Sequence, residues 1–175
     1  MVAEPKIRAT TAGDQANLEA LYGVAFPEEN LLPLIRRLLA EEPGILSLAA
    51  GVDDRLVGHI LFTPCGVGES ENCAALLGPL AVAPDWQRRG VGRALVREGL
   101  SRLGQTELMQ VLVLGDPNYY GRFGFLPEKS ILPPYDLPAE WSGAWQSIKL
   151  RGSEIAIAGV LRPPPAWLSP ALWAP

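Results

Sequence analysis

Excess charge of either sign, metal-ligand clusters and long apolar runs are all missing from this chain of 175 residues. Fifteen Lys and Arg against nineteen Asp and Glu give a net charge of −4. A nucleic-acid partner calls for a basic face, so this balance argues against one; it suits a cationic ligand such as an amine. No run reaches the length needed to cross a bilayer, and residues 1–8 hold no apolar h-region. These absences lead to the expectation of a soluble, cytoplasmic protein with no membrane partner. Cys65 and Cys73 have no metal spacing, and a disulfide framework does not suit a chain of this size. Both are expected to be free thiols packed in or beside strands, with no metal site. His59 is the only histidine, and no Ser-His-Asp signature accompanies it.

What is present reads as one globular domain over residues 1–175. Nearly half of the residues are hydrophobic and Pro and Gly sit between the apolar runs, where they act as turns. Residues 6–9 suit a short strand. Thr10 or Thr11 then caps a helix, with Asp14 placed three residues after Thr11 as in a capping box. Leu18, Leu21, Tyr22 and Ala25 follow at helical spacing up to Phe26-Pro27. A second helix starts near residues 30–33 and puts Leu34, Ile35, Leu38 and Leu39 on one face; Pro43-Gly44 ends it. Runs 45–52 and 56–62 are strands joined at Asp53-Asp54-Arg55, a hairpin signal. Residues 63–72 read as a glycine-rich connection, and 73–82 as the next strand. A third helix, 91–103, buries Val91, Leu95, Val96, Gly99, Leu100 and Leu103. Residues 107–114 form a strand whose continuous apolar end suits a central position. Residues 118–122 make a helical turn, and Phe123-Gly124-Phe125 leads into another strand. Beyond Pro133 the chain is rich in Pro and Trp, with a hairpin expected from 145–150 and 155–161 around Arg151-Gly152-Ser153. No repeat or linker is detectable. The order is mixed α/β, with helices on both sides of one sheet.

The most informative stretch is Val82-Ala83-Pro84-Asp85-Trp86-Gln87-Arg88-Arg89-Gly90-Val91-Gly92. A strand runs into it and an amphipathic helix runs out. The first amides of a helix lack intrahelical partners, and the helix dipole adds partial positive charge, so such a loop is an anion site. Gly90 and Gly92 clear Cβ atoms from the approach. Arg88, Arg89 and Arg93 add charge around it; Arg97, one turn on, reads as solvated surface. A triphosphate P-loop pattern is absent, and Gly90-x-Gly92 continues to Leu95, not to the third glycine of a dinucleotide fingerprint.

The remaining Gln87-x-x-Gly90-x-Gly92 resembles the coenzyme A pyrophosphate loop of the GNAT family, the GCN5-related N-acetyltransferases. Tyr120 with Gly124-Phe125 matches the Tyr-x-x-x-Gly-Phe that often follows the fifth strand of that family. The longer runs 78–87 and 114–125 resemble a bacterial subgroup of predicted GNAT acetyltransferases. The resemblance is specific over residues 73–125, extends to the N-terminal helices and is weak from 126 to 175. It implies a single mixed, mostly antiparallel sheet flanked by helices, with both motifs at the carboxyl ends of strands and facing one cleft.

The activity it implies is direct transfer of an acetyl group from acetyl-CoA, the co-substrate, to a small-molecule or peptide amine. Gly78-Pro79 suggests a bulge or bend, since proline cannot donate to a ladder; in the family such a distortion lets pantetheine pair with the strand. By the resemblance, the Leu80 N–H points at the thioester oxygen and Ala81 and Val82 lie along pantetheine. Gln87, Arg88, Arg89, Gly90, Val91, Gly92 and Arg93 cradle pyrophosphate. Tyr120 becomes the general acid for the departing thiolate, and Phe123 is core or cofactor-lining.

The position where some members carry a glutamate base is Leu76, which cannot accept a proton. His59, Glu28 and Glu29, or water, stand as alternatives for that proton. His59 reads more readily as a hydrogen-bonded interior residue than as a catalytic base. Glu28 and Glu29 stand where the acceptor cleft of the family usually opens, which gives them an amine-binding expectation beside the plainer one of a solvated pair. The missing glutamate also supports an alternative, a non-catalytic acyl-CoA-binding module or sensor on the same fold. The acceptor is not legible. Three uses are open for the Trp-rich tail: covering the sheet edge, lining an acceptor pocket, or forming a homodimer contact, with aromatic burial the commonest outcome.

Overall fold

The computed structural model describes residues 3–41, 43–151 and 157–175. Contacts divide the chain into two compact units, Met1–Phe62 with Gly78–Ser101, and Thr63–Leu77 with Arg102–Pro175.

The first unit begins with β1 (Lys6–Ala9) and turns into α1 (Gln15–Ala25) through a 3-10 turn at Ala12–Asp14. The turn is held as the Thr11/Asp14 spacing predicts: the Thr11 amide donates to the Asp14 carboxylate at 2.8 Å. Arg8 donates to both oxygens of Asp14 at 2.7 Å. These bonds, that from Arg8 first, hold the Asp14 carboxyl well below the usual carboxylate range. α1 buries Leu18, Leu21 and Tyr22. α2 (Leu32–Glu41) buries Leu34, Ile35 and Leu38. Leu39, expected on that face, is instead 37% exposed.

β2 (Leu46–Val52) and β3 (Arg55–Val67) form the expected hairpin, antiparallel and closed by the pair Val52↔Arg55. Asp53 and Asp54 both have positive φ, 48° and 63°. A two-residue hairpin loop needs this backbone, and aspartate tolerates it better than most residues. β1 pairs β2, also antiparallel.

β3 shows why helices cover both faces. Its side chains alternate with period two. A Cβ on Gly58 would meet Val91 and Leu95, and a Cβ on Gly99 would meet Phe62, so residues 58 and 62 face α3 (Val91–Leu103). His59, between them in register, points the other way and meets Tyr22 of α1. α3 has the expected bounds, although Leu100 is only half-buried.

The second unit corrects two expectations. Residues 63–67 are not connection: β3 runs on to Val67, and β4 (Ser70–Val82) starts after a two-residue turn. Pro64 misleads a reader of sequence because proline normally ends a ladder. It is tolerated here because β2 pairs β3 only up to Phe62 and β9 (Gly159–Arg162) pairs it only from Gly66. Among the described residues, the two strands of the expected tail hairpin do not pair with each other. β8 (Trp145–Lys149) pairs β5 (Gln110–Leu114) and β6 (Leu126–Pro127), whereas β9 pairs β3 and the short β7 (Ile131–Leu132). The expected turn at Gly152-Ser153 lies outside the described residues.

The hydrogen-bonded order is β1-β2-β3-β4-β5-β8-β6, antiparallel except where β5 runs parallel to β4 and β7 to β9. Trp145, Trp167 and Trp173 are buried and meet edge to face, with centroids 5.8 and 6.1 Å apart. Trp145 Nε1 donates to the Ile131 carbonyl at 2.7 Å, and Trp173 Nε1 donates to that of Trp167 at 2.9 Å. Each ring thus buries its apolar body while its one donor is satisfied. Cys65 and Cys73 are both buried, as expected, and the Cys65 thiol donates to the Thr63 carbonyl at 3.2 Å. Among the described residues, no helix is long and apolar enough to cross a membrane.

Candidate active site

The anion loop lies in the first unit. Val82 ends β4, a 3-10 turn covers Pro84–Trp86, and α3 starts at Val91. The Ala83 amide donates to the Val57 carbonyl at 2.9 Å, and the Gln87 carboxamide donates back to the Val82 carbonyl at 3.2 Å. Gln87 therefore ties the loop to the strand end.

The first helical bond of α3 runs from the Ala94 amide to the Gly90 carbonyl. The amides of Val91, Gly92 and Arg93 consequently have no intrahelical partner. Gly90 has φ +85°, and a Cβ there would enter open space with no atom within 4 Å. Glycine is needed for the backbone, and its missing side chain leaves the approach to those amides clear. Arg88 also sits at positive φ, 62°. Arg88, Arg89, Arg93 and Arg97 are all exposed. Arg89 places its guanidinium 5.2 Å from the centre of the Trp86 ring. Sequence reasoning gave Trp86 no role; the i, i+3 spacing with Arg89 is the signal that pointed to it.

The strand feeding the loop is distorted where the sequence expects it. Gly78 has φ 149° and precedes Pro79. The parallel ladder between β4 and β5 covers only Ala74–Leu76 against Gln110–Leu112, although β5 pairs β8 along all five residues. β4 is thus free of β5 from Leu77 onward. Leu80 and Val82 are half-buried and Ala81 is fully buried.

Tyr120 belongs to the second unit. Asp116 caps α4 (Pro117–Tyr120) by accepting from the Asn118 amide at 2.9 Å, with Pro117 in the first turn. A 3-10 turn at Gly121–Phe123 follows, and Gly124 closes it with φ 100°. The Tyr120 ring meets Tyr119, Phe123 and Phe125 at centroid distances of 5.0, 6.5 and 5.6 Å. Burial, and secondarily Tyr119, raise the phenol above its ordinary pKa, so it is protonated throughout the neutral range.

His59, Glu28 and Glu29 belong to the first unit and Leu76 to the second. His59 is fully buried; Nδ1 shares a hydrogen bond with the Tyr22 hydroxyl and Nε2 one with the Ser47 hydroxyl, each 2.8 Å. Burial lowers its pKa to about 4, against the opposing pull of Asp14. His59 thus has the hydrogen-bonded interior placement that the sequence favours: both nitrogens are engaged and the ring is fully buried. Glu28 and Glu29 are exposed between α1 and α2. Leu76 is buried, with 2% exposure.

The sequence also gave no notice of Glu128. Its carboxylate accepts from Ser147 Oγ at 2.6 Å, Gln110 Nε2 at 2.8 Å, and the Ser130 and Ile131 amides at 2.7 and 2.9 Å. Burial opposes ionisation, yet these bonds hold the carboxyl below its ordinary value. The group joins β5, β7 and β8; its partners come from three separate segments, so no local pattern announces it.

Comparison with known proteins agrees with this geometry. The profile of the Acetyltransferase (GNAT) family matches residues 15–125. The chain is 34% identical to the uncharacterized N-acetyltransferase YjhQ of Escherichia coli K12, covering 87% of this chain and 88% of that one. It is 30% identical to YhbS of the same strain, over 88% and 91%. A crystal structure of YhbS in complex with CoA superposes with a TM-score of 0.86, at 24% identity, over 97% of this chain and 94% of that one. A Brucella melitensis GNAT family acetyltransferase in complex with acetyl-CoA superposes at 0.74, with 28% identity, over 93% and 97%. The chain belongs to the GNAT family, whose members are acetyl-CoA-dependent N-acetyltransferases.

Proposed function

We propose that this protein, acting as one GNAT domain, transfers an acetyl group from acetyl-CoA directly to the amine of a small molecule or peptide. The observation that carries the reading is the row of amides at Val91–Arg93 behind Gly90, which have no intrahelical partner and suit a pyrophosphate. Gln87 ties that loop to the strand end, and Arg88, Arg89 and Arg93 add long-range attraction for the anion. The freed backbone of Leu80, Ala81 and Val82 takes pantetheine, and the Leu80 N–H donates to the thioester oxygen as charge develops there. Neutral amine nitrogen attacks the thioester carbon, the C–S bond breaks, the thiolate takes a proton from the Tyr120 hydroxyl, and the new amide nitrogen loses its extra proton through water, which restores the phenol. Phe123 packs beside that ring. Water removes the proton from the incoming ammonium, since the Leu76 side chain cannot accept it and His59 is sealed in the core. Glu28 and Glu29 are exposed carboxylates suited to attracting an ammonium.

A second reading, an acyl-CoA sensor without turnover, is favoured by the buried Leu76 alone. Calorimetric titration with acetyl-CoA, beside ATP and NAD, is the first test. Micromolar binding of acetyl-CoA alone is expected. An amine screen follows, with Tyr120→Phe reducing kcat by about 10²–10⁴ while acetyl-CoA affinity stays within twofold. No acetyl-CoA binding overturns the reading; binding without turnover on any amine favours the sensor.

A further inference from the structure

We propose that the first unit carries a second ligand site, for a neutral small molecule with an apolar body and one hydroxyl or amide end, in the cavity between α1, α2 and the start of β2. The cavity measures about 610 Å³, within the usual range for small-molecule pockets. Leu18 of α1 and Leu32 and Leu39 of α2 form its apolar wall; Thr10, Gln15 and Ser47 supply its polar side. Residues 32, 36 and 39 share one face of α2 at helical spacing, turned away from the buried Leu34 and Leu38. This face accounts for Leu39, an apolar side chain that lines the open cavity and is not covered by the core.

Charge selects the ligand class. The charged residues lining the cavity are Glu19 and Arg36, and they pair with each other. An anionic or a cationic ligand finds no unmatched counter-charge there. The polar side does offer hydrogen bonds. Thr10 Oγ1 donates to Ser47 Oγ at 2.6 Å, and Ser47 Oγ is also bonded to His59 Nε2. Thr10 Oγ1 has spent its proton and keeps lone pairs for a ligand O–H or N–H. The exposed carboxamide of Gln15 presents both a donor and an acceptor.

This cavity is separate from the anion loop. Ser47 pairs with Leu61 of β3, while the loop begins at Ala83, bonded to Val57 of the same strand. Four residues at about 3.3 Å each and two strand spacings of about 4.8 Å put the two places roughly 16 Å apart.

The test titrates the protein with N-phenyl-1-naphthylamine, a neutral apolar fluorophore bearing one N–H donor. We expect a saturable fluorescence rise at one site per chain. Leu39→Trp and Leu32→Trp, which fill the cavity from partly exposed positions, weaken binding at least tenfold while thermal melting shows the fold intact. If one variant fails to fold, the other decides. Saturating acetyl-CoA leaves the probe in place. No saturable rise, equal binding by both folded variants, or displacement by acetyl-CoA overturns the proposal. Acetyl-CoA affinity is measured separately by calorimetry, so failure here is distinct from failure of the transferase reading.

Discussion

Gly115 lies directly against the ring of Tyr120: a Cβ at Gly115 would stand 2.4 Å from Cε2 and 3.0 Å from Cδ2. No side chain fits there without moving the ring that carries the proposed acid. Gly115→Ala is therefore expected to displace the phenol, at an overpacking cost of about 1–3 kcal/mol. Expressed at the transition state, that is roughly a tenfold to hundredfold loss in kcat. Steady-state kinetics should show the loss with acetyl-CoA affinity nearly unchanged. Gly121→Ala is the control, because a Cβ there meets nothing within 4 Å and its φ is −56°.

The raised phenol pKa of Tyr120 has a kinetic consequence. A general acid works while protonated, and this one keeps its proton past its ordinary value of about 10. The rate should rise with pH as the acceptor ammonium loses its proton and show no fall assignable to Tyr120 below pH about 10. A kcat/KM profile checks this. A descending limb near neutral pH that vanishes in Tyr120→Phe would contradict the assignment.

Gly99 should reverse the ordinary rule for glycine in helices. Alanine normally improves a helix interior by about 1 kcal/mol. A Cβ on Gly99 would lie 2.1 Å from Cε2 of Phe62, so Gly99→Ala should instead destabilise by about 1–3 kcal/mol. Urea unfolding of the variant against wild type gives the sign. A stabilised variant would mean that Phe62 yields freely.

Stability should fall in mild acid because His59 is buried in its neutral form. Its pKa drops from 6.5 in the unfolded chain to about 4 in the fold. The unfolded state therefore binds more protons between those values, and stability rises with pH through that window. The contribution, about 3 kcal/mol, is present in full above pH about 6.5 and is lost as pH falls toward 4. Asp14 acts in the same direction at lower pH, since its folded pKa is depressed below the unfolded value. Unfolding free energies measured from pH 7 to 4.5 should decline for wild type and flatten for His59→Gln. An equal decline in both would remove His59 as the cause.

The local elements were legible where one short stretch carries the whole signal. Thr11 and Asp14, the Asp53-Asp54 turn, the bounds of α3 and the turn that presents Tyr120 each follow from neighbours a few residues apart, as does the glycine-bearing loop from Gln87 to Gly92. Propensity, capping and hydrophobic period act over that range, so sequence alone determined them and, through them, the resemblance to the GNAT family. Tertiary structure decided what depends on distant partners. Pro64 stays within β3 because β2 has ended and β9 has not begun. β9 pairs β3 and β7 instead of β8, a choice among edges that β propensity does not encode. Both ring nitrogens of His59 are engaged in the core by Tyr22 and Ser47, which lie 37 and 12 residues away in sequence. Leu39 has the same helical period as its buried neighbours and differs only in that no strand or helix was left to cover it. Burial and hydrogen-bond partners are properties of the packed molecule, and the chain fixes them only once every element competes for the same core.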